Sequence, residues 1–168
     1  CAISMGHDQI ALKLLDEIAD VDELDPRGNI LLHYAAEFGR VHIIKILLAR
    51  TKLINVNVPN KCEFTPFDNA TSNGHNEAAK MILDRIDVDQ ADDDDNTLLH
   101  RAVNMGNLSA VQLILPIAKL INLKNRQGET PLELAQRKGR DEISELIRVK
   151  ICSRFSPGTE TGSRKFPN

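Results

Sequence analysis

The feature that most constrains this chain is a spacing. Glycines at Gly6, Gly39, Gly74, Gly106 and Gly139 are separated by 33, 35, 32 and 33 residues. Ala35, Ala70, Ala102 and Ala135 repeat the last three of those gaps, and the apolar pairs Leu14-Leu15, Leu47-Leu48, Ile82-Leu83 and Ile114-Leu115 drift with them. A period near 33 means stacked copies of one small unit, each too short to bury its apolar face alone and each covered by the next.

Inside one period the pattern is helix, turn, helix and polar loop. Apolar residues at 41, 43, 44, 47 and 48 trace one helical face over Val41 to Leu48. Leu31 to Phe38 reads as a shorter helix with Ala35 and Ala36 on its packing side, and Gly39 stands between the two as a left-handed helix end. Thr65-Pro66 and Thr130-Pro131 supply an N-capping hydroxyl and a proline at the first helical position. Thr130 to Glu133 fits a capping box and Thr65 to Asp68 approximates one. Thr97 keeps the cap, whereas Ile30-Leu31 has neither feature, so the helix at Leu31 is expected to start less sharply.

These segments carry a resemblance. Gly28-Asn29-Ile30-Leu31-Leu32-His33-Tyr34-Ala35-Ala36 through Gly39 resembles the ankyrin repeat signature Gly-x-Thr-Pro-Leu-His-x-Ala-Ala. Thr97 to Ala102 and Gly128 to Ala135 resemble it again, and Thr65 to Ala70 is a weaker copy. The resemblance covers about residues 1–150. It implies an all-α solenoid of antiparallel helix pairs, with short β-hairpin fingers along one edge. The repeats are read as a partial one at 1–24 and complete ones at 25–59, 60–91 and 92–124, then a C-terminal capping repeat at 125–155 and a flexible tail at 156–168. The opening at Cys1 cuts a helix pair, so further repeats or a cap are expected before it. Ser144 and Arg148, standing where earlier repeats have Ile44, Ala79 and Val111 or Leu48, Leu83 and Leu115, predict a polar outer face on the last repeat.

Several function classes find no support. A net charge of −3 without a basic stripe gives no general pull toward nucleic acid. No apolar run approaches the roughly 20 residues of a membrane span. Cys1, Cys62 and Cys152 are odd in number and far apart, which fits free thiols in a reducing, cytoplasmic setting. No Gly-rich phosphate loop, Gly-x-Ser-x-Gly elbow or His-Glu-x-x-His helix is present, so no enzyme activity and no cofactor is expected. His33 and His100 lie two repeats apart, too far at about 8–10 Å per helix layer to share a metal. The resemblance gives them instead a role in hydrogen-bonding the turn, and makes His7 and His75 structural.

The loops carry the irregularities. Asp87, Asp89 and Asp92 to Asp95 form an acidic patch lacking the Gly and distal Glu of a calcium loop. It reads either as a solvated tip or as a docking site for a basic partner. Asp95 and Glu63 replace the turn glycine of their fingers, and Glu63 predicts a distorted finger. Lys52-Leu53-Ile54-Asn55 recurs as Lys119-Leu120-Ile121-Asn122, yet Asn55 is 11 residues before Pro66 and Asn122 nine before Pro131. The two extra residues fall around Val56 to Lys61 and predict a longer finger carrying Cys62 and Phe64.

The resemblance also implies where a partner would touch: finger tips and the exposed side of each first helix. Those positions are Arg27, Asn29, Glu37 and Phe38, then Lys61, Cys62, Phe64, Ser72 and Asn73. They continue with Asp93, Asp94, Asn96, Asn104 and Met105, then Arg126, Gln127, Glu129, Arg137 and Lys138. Phe38, Phe64 and Met105 are apolar where solvent favours polar groups and mark a candidate hot spot, or else local packing between fingers. The expected function is a monomeric protein–protein interaction module, the alternative a regulatory or targeting domain of a larger enzyme.

Overall fold

The computed structural model describes residues 8–53 and 56–155. The start of the partial repeat, Cys1 and His7 included, Ile54-Asn55 and the tail at 156–168 lie outside the described residues.

Among the described residues the chain is all-α. The helices are α1 (Asp8–Glu17), α2 (Leu31–Glu37), α3 (Val41–Arg50), α4 (Pro66–Ser72), α5 (Asn76–Leu83), α6 (Leu98–Met105), α7 (Leu108–Ile114), α8 (Pro131–Arg137) and α9 (Asp141–Phe155). They pair as hairpins, α2 with α3, α4 with α5, α6 with α7 and α8 with α9. One layer holds the first helices of the hairpins, with α2 on α4 and α6 on α8, and a second holds the others, with α1 on α3, α3 on α5 and α7 on α9.

Local chemistry fixes where the first helices begin. The hydroxyls of Thr65 and Thr130 accept from the amides of Asp68 and Glu133 at 3.2 Å, and those carboxylates accept in return from the threonine amides at 2.9 and 2.8 Å. Both capping boxes therefore close. At Thr97 the returning group is the imidazole of His100, whose Nδ1 accepts from the Thr97 amide at 3.2 Å. Ile30 has no side-chain oxygen, but its amide donates to His33 Nδ1 at 3.1 Å. Half a capping box survives, so α2 starts in the same register as its counterparts despite the missing Thr-Pro.

The core follows the period read from the sequence. Ala35, Ala70, Ala102 and Ala135 are at most 2 % exposed, small residues that let neighbouring first helices approach. Leu47, Ile82, Ile114 and Ile147 are equally buried on the second helices. The expected polar outer face of the last repeat holds at one position only. Arg148 is exposed and paired with Glu145 at 2.7 Å, but Ser144 is buried, and its hydroxyl has no hydrogen-bond partner among the described residues. A hydroxyl so placed loses its water without recompense.

Gly39 and Gly74 both take the left-handed conformation, at φ of +63° and +74°. A Cβ on Gly39 would lie 2.6 Å from the root of the His75 ring, while a Cβ on Gly74 would meet nothing within 4 Å. The repeats thus pack closely at the first of these turns and stand apart at the second.

Two outcomes are expected in urea titrations. Gly74→Ala should lower stability by about 1 kcal/mol from backbone strain alone, and Gly39→Ala by roughly 1–3 kcal/mol more because His75 must move. Equal losses would show that the two turns are equally open. Ser144→Ala should raise stability by about 1 kcal/mol, through removal of an unsatisfied hydroxyl and a gain in helix propensity.

Candidate functional site

The fingers are four copies of one five-residue turn, at 25–29, 60–64, 92–96 and 125–129. In each, the amide of the first residue donates to the carbonyl of the fifth at 2.8–3.0 Å, and the amide of the fourth donates back to the carbonyl of the first at 2.8–3.0 Å. The first residue is always Asp or Asn, and its side-chain oxygen accepts from the amides two and four residues on. Asp25 does so at 2.8 and 2.8 Å, Asn60 at 2.9 and 3.0 Å, Asp92 at 2.9 and 2.8 Å, and Asn125 at 3.1 and 3.0 Å. One short polar side chain therefore rigidifies each tip, and no residue of a tip belongs to a β-strand.

This corrects two expectations. Glu63 does adopt the left-handed backbone, at φ of +64°, as Asp95 does at +60°. Its finger keeps all four hydrogen bonds, so it is not distorted. That finger is also no longer than the others. The extra residues precede it in sequence, and at 56–59 the chain lies against the start of α4, with Val56 buried and Asn57 accepting from the Phe67 amide at 3.2 Å.

Histidines link first helices to the fingers beyond them. His33 Nε2 donates to the Phe64 carbonyl at 3.1 Å, and His100 Nε2 to the Glu129 carbonyl at 3.0 Å. Each ring is thus held neutral, with its Nδ1 already accepting from the helix start. Burial is the main reason both imidazoles titrate below their ordinary value of 6.5. At the first finger Asp25 accepts from the Tyr34 hydroxyl at 2.5 Å, the largest reason its carboxyl drops to about 2.

The position equivalent to these histidines in the second complete repeat is Asp68, which cannot donate. Instead Arg101 of α6 reaches back, its Nε 2.9 Å from Asp68 and its guanidinium also donating to the Glu63 carbonyl. Beside it, between the second and third fingers, a cleft of about 530 Å³ opens. Asn57, Glu63, Asp87, the acidic finger at Asp92–Asp94, Asn96 and Arg101 line it.

The sequence-expected contact residues divide accordingly. Arg27, Lys61, Cys62, Asp93, Asp94, Arg126 and Gln127 are exposed on the tips, and Phe64 is 39 % exposed. Ser72, Asn73, Asn104, Arg137 and Lys138 are exposed at the ends of first helices, where Glu37, Phe38 and Met105 are half-buried. Some are committed internally. Asp94 pairs with Arg126 at 3.0 Å, and Arg137 with Glu129 at 2.5 Å. Asn29 is buried, and its side chain receives Asn60 at 2.8 Å, so its place is inside the finger array. Asn96 is half-buried and receives Asn125 at 3.1 Å in the same way. Arg101 was not among the expected residues, because its link to Asp68 depends on register between repeats. Among the described residues no cluster suited to a metal occurs, and no helix is long and apolar enough to cross a membrane.

Antiparallel helix pairs, left-handed turns and rigid finger tips in repeated register define a helical-repeat solenoid. The family model of ankyrin repeats (three copies) matches residues 1–92 and 84–153, and the chain belongs to that family. It is 32 % identical over 127 residues to human transient receptor potential cation channel subfamily A member 1, across 74 % of this chain and 11 % of the channel. It is 29 % identical over 139 residues to the putative ankyrin repeat protein L371 of Acanthamoeba polyphaga mimivirus, across 80 % of this chain and 18 % of that protein. The probable 26S proteasome regulatory subunit p28 of Saccharomyces cerevisiae is 28 % identical over 127 residues, 73 % of this chain and 56 % of the subunit. The chain therefore spans less than two thirds of each of these relatives. Ankyrin repeats are generally protein–protein interaction modules and typically non-enzymatic.

The histidine links set a pH dependence. Above about pH 6.5 neither the folded nor the unfolded chain protonates these rings, so their contribution is fully present. As the pH falls below 6.5 the unfolded chain gains protons first, and stability declines until the depressed folded values are passed. The urea midpoint should fall between about pH 7 and pH 5, and His100→Gln should flatten that fall. Equal slopes in the two proteins would rule out His100 as a source.

Proposed function

We propose that this chain binds a partner protein along its finger edge and the exposed ends of its first helices, and that the cleft between the second and third fingers is the centre of that surface. The observation that carries this reading is rigidity. Each tip is fixed by two backbone hydrogen bonds and two side-chain ones, so exposed groups such as Lys61, Phe64 and Asp93 are ordered before any partner arrives. Little conformational entropy remains to be lost within each tip on binding.

The cleft's chemistry narrows the partner. Glu63, Asp87, Asp92, Asp93 and Asp94 line it, with Arg101 the single basic residue there. Charge complementarity favours a partner segment carrying Lys or Arg. Phe64, large, apolar and part-exposed in the finger that borders the cleft, supplies an anchor of the kind that dominates interface energies. Phe38 and Met105 are the further candidate anchors on the first-helix ends. The exposed thiols of Cys62 and Cys152 suit a reducing intracellular compartment.

The test is affinity capture followed by titration of the captured partner. Phe64→Ala should weaken binding at least about tenfold, roughly 1.4 kcal/mol, with smaller losses for Phe38→Ala and Met105→Ala. Val149→Ala, which removes an exposed apolar side chain from α9 in the other helix layer, should change nothing. Equal effects of Phe64→Ala and Val149→Ala would sink the proposed surface. Affinity should also fall as salt rises and on replacing Asp93 by Asn, and salt-independent binding would remove the basic-segment reading.

A further inference from the structure

We propose that the boundary between the second and third fingers is a joint, at which two firmer half-stacks, 25–91 and 92–155, move relative to each other with Arg101 as the tether. Each device that locks the first and third junctions is missing at the second. The Lys61 amide donates to the Arg27 carbonyl at 3.0 Å and the Arg126 amide to the Asp94 carbonyl at 2.9 Å, so the first and second fingers are linked, as are the third and fourth. No equivalent bond from Asp93 to Cys62 occurs among the described residues.

The side chains explain why. Asn60 donates to Asn29 and Asn125 to Asn96, each a carboxamide pair between neighbouring fingers. At the second junction the same two positions are Asp92 and Phe64, and neither has an amide to donate. The imidazole links from His33 to the second finger and from His100 to the fourth have no counterpart to the third, because the equivalent residue is Asp68, whose carboxylate cannot donate to a carbonyl. The turn glycines agree. A Cβ on Gly39 would meet the His75 ring and one on Gly106 the Arg140 guanidinium, both at 2.6 Å, while a Cβ on Gly74 would meet nothing within 4 Å.

Helix packing changes at the same place. First helices pack on first helices at the outer junctions, α2 on α4 and α6 on α8, but across the middle the main approach is diagonal, α4 on α7. Apart from the shared buried core, the links across the gap are few and polar. Arg101 holds Asp68 at 2.9 Å and the Glu63 carbonyl, Asn107 donates to Thr71 at 2.7 Å, and the Asp89 carboxylate, away from the finger tips, accepts from the amides of Lys119 and Leu120 at 3.0 Å. In an array whose stability is a sum of repeat and junction contributions, the weakest junction separates cooperative units. A joint at the second junction also sets the width of the cleft between the fingers, whether or not a partner enters it.

Native-state hydrogen exchange of the whole chain tests this. In the wild type, amide protection should step by about tenfold or more between α4–α5 and α6–α7, with smaller steps across the other two junctions. Arg101→Ala should enlarge that step selectively. At the first junction Asn69 donates to the His33 carbonyl at 3.4 Å. The pair Asp68→His with Arg101→Asn rebuilds that His33 and Asn69 arrangement at the second junction, and should bring the two sides within about threefold. A wild type without a step at the second junction would overturn the proposal. So would Arg101→Ala lowering protection evenly through all helices, which is how a merely structural ion pair would behave. If Arg101→Ala fails to fold, the wild-type profile and the double variant still decide.

Discussion

A pair of helices seven to fifteen residues long has one apolar face and nothing of its own to put on it. Isolated helices of that length are marginal in water, so each pair persists only because the next covers it. Everything else in this chain answers to that constraint. The alanines at 35, 70, 102 and 135 bring first helices close, the left-handed glycines turn the chain within two residues, and the fingers carry it to the next layer in register. Because cover is supplied repeat by repeat, the quality of each junction matters more than any single residue within a repeat.

Junction quality is set by few side chains. A histidine that accepts from its own helix start and donates to the next finger uses both ring nitrogens, and so ties a local cap to a long-range contact. His33 and His100 do this, and their burial in the stack favours the neutral form that both roles require. Asp68 satisfies the first role equally well, taking the amide and hydroxyl of Thr65 at 2.9 and 2.7 Å. It fails the second role, since a carboxylate cannot donate to a carbonyl. The acidic side chain that completes a capping box therefore removes an inter-repeat link, and its charge then draws Arg101 from the following repeat.

The helices were legible in the sequence because their determinants are local. Thr-Pro starts, Gly ends and a 3.6-residue apolar rhythm all act within one turn of the residue concerned. The fingers were legible only in part. Asp25, Asn60, Asp92 and Asn125 recur at gaps of 35, 32 and 33, a signal as regular as the glycines, and they carry the turn chemistry. Attention to the missing glycine at Glu63 predicted distortion. The left-handed conformation costs a non-glycine residue about 1–2 kcal/mol, but four hydrogen bonds around Asn60 outweigh it. Ser144 misled because a polar residue at the end of a solenoid is usually exposed, and burial there is a property of packing that no local pattern announces. Arg101 and Asp68, 33 residues apart, become partners only once the repeats are superposed in register.

On the readings proposed above, the interaction surface and the weak junction share a location beside that last pair. The second junction has Phe64 in place of an asparagine and an aspartate-rich third finger, and those aspartates make the neighbouring cleft acidic. A carboxamide pair here would close the fingers together and spend their polar groups on each other, as happens at Asn29–Asn60 and Asn96–Asn125. Without it, Phe64 and Asp93 remain exposed on neighbouring fingers. On those readings, polar groups that bond one finger to the next are no longer available to a partner, so a firmer junction leaves less to bind.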